Sequence, residues 1–103
     1  MFAISIFKGR DKKNNKAIIE ALSLHGGMTI WEITRSVKRG ELKREPGARE
    51  VQRLYPTIFR CIKGSSKGGG VRTRGLESLG YVEALGTRVS KGREVPVYSL
   101  TLR

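Results

Sequence analysis

The sequence is poor in the residues that build most catalytic and metal centres. One of its 103 residues is cysteine and one is histidine, which excludes an internal disulfide and thiolate metal clusters and leaves no second histidine to share a metal. Cys61 stands between Phe59 and Ile62 in an apolar pattern, so it is read as a buried filler and not as a reactive thiol. With His25 far from Cys61 along the chain and no paired carboxylates in a cleft-like pattern, no nucleophile and base are recognisable, and an enzyme is not expected. Acid is scarce too. Nine Asp plus Glu against 21 Lys plus Arg leave a net charge of +12, and so large an excess on a small body repels itself until an anionic partner neutralises it. Nucleic acid is the first candidate partner and an anionic membrane the second. Long apolar runs are also missing: MFAISIF, residues 1–7, is the longest and falls well short of the ~20 residues of a spanning helix. It has no basic segment before it and no small-residue cleavage site after it, so it makes a poor signal peptide. The expectation is a cytoplasmic protein without a membrane partner.

What is present is a globular composition, 38% hydrophobic and 29% charged with three prolines, sized for one domain with one modest core. Its most conspicuous stretch is KGSSKGGGVRTRG, residues 63–75, where glycine, hydroxyls and positive charge invite a phosphate. Nucleotide cradles fail on spacing. A Walker loop needs lysine and a hydroxyl after its second glycine, and Gly70 and Val71 follow Gly69 instead. The dinucleotide fingerprint fails because Thr73 occupies its third glycine position. No cofactor is expected.

Periodicity predicts helices and then a hairpin. Ile18, Ala21, Leu22 and His25 recur at helical spacing over residues 12–25, with Gly26 and Gly27 as a left-handed stop. His25, in the last turn, faces the negative helix end and reads as structural. Thr29 and Glu32 have capping-box spacing, which predicts a second helix from about Thr29 to Val37 with Ile30, Ile33 and Val37 inward. Residues 38–47, KRGELKREPG, read as a solvated loop of mixed charge. Pro46 suits the first turn of a third helix, in which Val51, Leu54, Ile58 and Ile62 keep register to Lys63. Pro56 either kinks that helix or starts a fresh one. Leu76 and Leu79 mark a short helix stopped by Gly80. Residues 81–89 and 94–102 favour strands joined by a four-residue SKGR loop. Pro96 places the second strand at an edge or at a break, and Tyr81 and Tyr98 are expected to pack across the hairpin.

In this order the motifs GGMTIWEI, TIFRCIK, LESLGYVEALGTR and GREVPVYSLT resemble a winged helix-turn-helix protein. Leu76-Glu77-Ser78-Leu79-Gly80-Tyr81 is similar to the family's exit from the recognition helix, and Tyr98-Ser99-Leu100-Thr101 to the end of its second wing strand. The resemblance spans roughly residues 12–102. It implies an α+β fold of three to four helices followed by a C-terminal two-stranded β-hairpin wing. It divides the chain into residues 1–11, an apolar segment or dimerisation arm, and residues 12–103, the winged-helix domain. The alternative for MFAISIF is packing on its own core. In the family the recognition helix runs unbroken into the leucine-glycine exit, whereas here the glycine stretch intervenes. The recognition helix is therefore either the segment 55–63 or the segment 71–79.

Charge supports a nucleic-acid surface. Arg53, Arg60, Lys63, Lys67, Arg72 and Arg74 follow one another to Leu76 without an acidic residue. Each cation that meets a phosphate releases counterions, and Arg60, Arg72 and Arg74 have the planar fork that reads guanine edges. At the hairpin tip Arg88, Lys91 and Arg93 flank Gly92, where the resemblance implies contact with the backbone or the minor groove; cations there also discourage edge pairing. The candidate DNA contacts are thus Thr57, Arg60, Lys63, Lys67, Arg72, Arg74, Arg88, Lys91 and Arg93. The expected function is sequence-specific double-stranded DNA binding by a transcriptional regulator of archaeal or bacterial type, as the homodimer that two-fold operators favour. The rivals are an RNA- or ribosome-binding winged helix and a protein-interaction winged helix. The glycine stretch is either a join or a clamp on a backbone phosphate.

Overall fold

The start of the second helix shows how the sequence sets its own boundaries. Thr29 Oγ1 accepts from the Glu32 N–H at 3.2 Å while Glu32 Oε1 accepts from the Thr29 N–H at 2.9 Å, the reciprocal box that satisfies two otherwise orphaned donors. The computed structural model describes residues 12–66, 72–73 and 75–101, with the backbone alone at 65, 66, 72 and 73. MFAISIF, Lys67 and Arg74 lie outside the described residues. The chain order is α1 (Lys12–His25), α2 (Ile30–Leu42), α3 (Ala48–Lys63), β1 (Ser65–Ser66), β2 (Arg72–Thr73), β3 (Val82–Ser90) and β4 (Arg93–Leu100). Among the described residues this is an α+β arrangement of three helices followed by an antiparallel hairpin, the layout of a winged helix.

α1 matches its predicted span, and Gly26 ends it with φ +75° and a 2.9 Å bond from its N–H to the Leu22 carbonyl. Ile18, Ala21 and Leu22 are buried as expected, but His25 is exposed and leaves the apolar stripe. α2 continues to Leu42, five residues past the expected Val37. The "loop" residues Lys38, Arg39, Glu41 and Leu42 are good helix formers, and Lys38 pairs with Glu41 one turn on. Lys43 then ends the helix in the left-handed region at φ 57°.

α3 is one continuous helix with Pro56 inside it, so no fresh helix begins at Tyr55. It starts after Gly47, whose N–H donates to Glu50 Oε1 at 3.0 Å. Ile18, Ile33, Ile58 and Ile62 from the three helices are fully buried together, each worth about 1.5–3 kcal/mol relative to exposure. Leu76, Val82 and Tyr98 close this core from the strand side.

The predicted short helix over Leu76–Leu79 is replaced by a wound turn through residues 76–80, with Leu79 N–H bonded to Gly75 O and Tyr81 N–H to Leu76 O. Leu76 is buried but Leu79 is exposed, so the pair never shares one inward helix face. Arg72 and Thr73 lie in β2, which pairs antiparallel with β1 in the register Ser65↔Thr73 and Ser66↔Arg72. The glycine stretch is thus bracketed by a small strand pair and does not join two helices. Its exit is fixed on α3: Leu76 N–H donates to Cys61 O at 2.8 Å and Glu77 N–H to Ile62 O at 3.0 Å. Those amides satisfy carbonyls that a helix C-terminus leaves unpaired.

β3 and β4 pair from Val82↔Leu100 to Ser90↔Arg93, with Leu85 bulged between Ala84↔Tyr98 and Gly86↔Val97. The connection is two residues, Lys91-Gly92, and not the four of SKGR. Both have positive φ, 51° and 75°, as a type I′ hairpin turn requires. Met28 and Tyr98 exchange backbone bonds of 2.9 and 2.8 Å, so the α1–α2 connection lies against the inner end of β4. Pro96, opposite Thr87, falls in the outer half, where β4 pairs only with β3 among the described residues. Tyr98 belongs to the core, and Tyr81 is partly buried against it. No helix among the described residues is long and apolar enough to cross a membrane.

Candidate nucleic-acid interface

α3 buries Val51, Ile58, Cys61 and Ile62, and that choice decides what it shows outward. Arg49, Arg53, Arg60 and Lys63 follow at i, i+4, i+11 and i+14, the repeat of one helix face. Arg49, Arg53 and Lys63 are exposed and Arg60 is half-buried. Glu50, the acid of the first turn, is directed elsewhere: its carboxylate takes a bidentate pair from Arg44 at 3.0 and 2.9 Å besides the Gly47 N–H. The Arg44 bonds first and the Gly47 N–H second hold Glu50 below the usual carboxylate range. No other acidic residue lies on α3, so its outward face is cationic.

Lys63 closes the row at the C-terminal end. It donates to Glu77 at 2.5 Å and stands 5.7 Å from the centre of the Tyr98 ring. The Glu77 carboxylate raises the ammonium above its ordinary value against a smaller opposing effect of burial, so Lys63 stays charged. Thr57 is half-buried; four residues after Arg53 and three before Arg60, it borders the arginine face by the helical repeat.

The hairpin lies alongside α3. Ser90 and Lys91 at its tip share a groove with Trp31, Gln52, Tyr55 and Pro56. Arg88 is tied to the body: it donates to Glu32 Oε1 at 2.6 Å, the same oxygen that caps α2. Lys91 and Arg93 are exposed. Arg60 and Lys63 on α3 and Lys91 and Arg93 on the hairpin are therefore brought to neighbouring elements. Arg72 is placed by its backbone in β2, and Lys67 and Arg74 fall outside the described residues. Among the described residues no group of three or more His, Cys, Asp or Glu side chains fits a metal ion.

Sequence reasoning missed Arg49, Gln52 and the aromatic residues Trp31 and Phe59. Arg49 was hidden because Glu50 beside it broke the single-sign run; helical spacing alone would have put Arg49 with Arg53 and sent Glu50 to another face. Trp31 and Phe59 are 40% and 43% exposed, an orientation that apolar patterning does not anticipate. Comparison with protein-family models, with curated proteins and with solved structures finds no match.

Proposed function

We propose that the chain binds double-stranded DNA, with α3 against the major groove and the β3–β4 hairpin on the flanking backbone. The observation that carries this reading is the row Arg49, Arg53, Arg60 and Lys63 on the solvent side of α3, with the cationic tip of the hairpin beside it. A major groove admits an α-helix, and arginine forks there reach guanine O6 and N7. Lysines and the hairpin cations position the domain on phosphates. The net charge of +12 supplies the long-range attraction.

The test is a salt titration of binding to a random-sequence duplex, followed by selection of preferred sites from a duplex library. Each phosphate contact contributes about −0.9 to the slope of log K against log salt, so Arg49→Ala or Arg53→Ala should flatten that slope by about one if the side chain meets a phosphate. An enriched motif supports a sequence-specific regulator. Saturable preference for structured RNA over duplex, or no saturable binding to either, refutes the reading.

A further inference from the structure

Three aromatic rings cross the junction of α2 and α3 in an unbroken row. Trp31 and Tyr55 have centroids 6.1 Å apart and Tyr55 and Phe59 6.2 Å apart, with interplanar angles of 41° and 34°. Tyr55 and Phe59 are four residues apart on one helix face, and Tyr55 packs its inner edge on the core. The outer rings are held open to solvent. Beside the row lies a groove of about 450 Å³ bounded by Trp31, Gln52, Tyr55, Pro56, Ser90 and Lys91, within the ~300–1,000 Å³ of small-ligand sites. A second groove of about 270 Å³ continues past Phe59 to Lys63.

The charge around these rings identifies the occupant. Lys91 stands at one end and Lys63 at the other. The nearby carboxylates are already engaged, Glu32 with Arg88 and the Thr29 N–H, and Glu77 with Lys63. Open rings, a side-chain amide and cations at both ends suit a planar, hydrogen-bonding group on a polyanionic backbone. A base inside a duplex already has both faces stacked, so the group must have left the stack.

We propose that the groove between α3 and the β3–β4 hairpin stacks an unpaired nucleobase on Trp31, Tyr55 and Phe59, with Lys63 and Lys91 on the flanking phosphates. This rests on the nucleic-acid reading above and adds a site for distorted or single-stranded segments. Gln52 offers both a donor and an acceptor to the base edge.

Trp31 is the only tryptophan of the chain, so its emission reports the groove directly. The full chain is titrated with oligothymidylate, with oligouridylate, with a duplex carrying one bulged thymidine and with the same duplex fully paired, while anisotropy follows binding separately. Saturable quenching by the single strands and the bulged duplex, and little by the paired one, is expected; the thymidylate and uridylate arms show whether DNA or RNA supplies the base. Phe59→Ala, checked for folding by circular dichroism, should weaken the bulged duplex about tenfold relative to the paired one. If the paired duplex binds but the bulge neither quenches Trp31 nor tightens binding, the groove proposal fails and the duplex reading stands. If no nucleic acid binds, both fail. Quenching by a proline-rich peptide where oligonucleotides have no effect reassigns the groove to a protein partner.

Discussion

Replacing Gly75 with alanine should damage the chain far more than its single methyl implies. A Cβ at Gly75 would stand 2.6 Å from Ile62 C, and still closer to Gly64 N and Ile62 O. All three are backbone atoms at the end of α3, so no side chain is available to swing aside. Making room pushes the 75–77 segment off the helix and strains the bonds from Leu76 N–H to Cys61 O and from Glu77 N–H to Ile62 O. Those bonds contribute about 0.5–1.5 kcal/mol each. Leu76 is 1% exposed, and losing about half its burial adds about 1 kcal/mol. The expected loss is about 2–4 kcal/mol, a large part of the ~5–15 kcal/mol that holds a domain together. Thermal unfolding followed by far-UV circular dichroism should show Tm lower by roughly 10–30 °C. Gly40→Ala is the control, because nothing lies within 4 Å of a Cβ there and α2 should gain about 0.5–1 kcal/mol. The same chemical change thus has opposite signs at two glycines. A Gly75→Ala loss below about 0.5 kcal/mol, on the scale of an ordinary surface change, would refute the close-approach argument.

Three further outcomes follow from contacts on the interface. Glu50 titrates below its unfolded value of ~4.3, so the stability it contributes is present above that pH and is lost as pH falls through the depressed value; Glu50→Gln should flatten the acid limb of a stability–pH profile, and an unchanged limb counts against the Arg44–Glu50 pair. Glu32→Gln keeps an acceptor for the Thr29 N–H but drops the charge facing Arg88, so Tm should change little while duplex affinity rises and the salt slope steepens by up to one unit; a large loss of stability without gain in affinity would contradict this. Lys91→Asn suits the left-handed turn position better than lysine, so it should stabilise the hairpin by a few tenths to about 1 kcal/mol in denaturant titrations and weaken duplex binding at low salt; weaker stability would overturn the turn assignment.

The parts of the fold legible in the sequence are those set by local rules. α1 was fixed by its apolar repeat and Gly26, and the start of α2 by Thr29 and Glu32. The end of α2 was not legible, because Lys38 to Leu42 are charged helix formers whose polarity reads as a loop until Lys38 and Glu41 are seen to pair. Leu76–Leu79 failed for a different reason. Its turn is held by tertiary bonds to Cys61 and Ile62, partners more than a dozen residues away, and no periodic pattern records them. At the candidate interface the basic residues were visible as a run, but their sorting was not. Side-chain pairing sent Glu50 to Arg44 and Arg88 to Glu32.

The bulge at Leu85 governs which side chains of the hairpin look toward the helices. Cross-strand partners share a face, and faces alternate at every residue. Inside the bulge, Ala84 shares a face with Tyr98; outside it, Gly86, Arg88 and Ser90 share the opposite face with Val97, Val95 and Arg93. Strict alternation without Leu85 as an extra residue would pair Thr87 with Val95 and move Arg88 to the other side of the ribbon, out of reach of Glu32. One residue therefore inverts the parity of the outer half of β3. It turns a cation inward to hold the ribbon against α2 and leaves Val89 outward in solvent; deleting Leu85 would keep the pairs Gly86↔Val97 to Ser90↔Arg93 and with them both faces, whereas drawing Leu85 into regular pairing with Val97 would exchange the two surfaces of the outer hairpin.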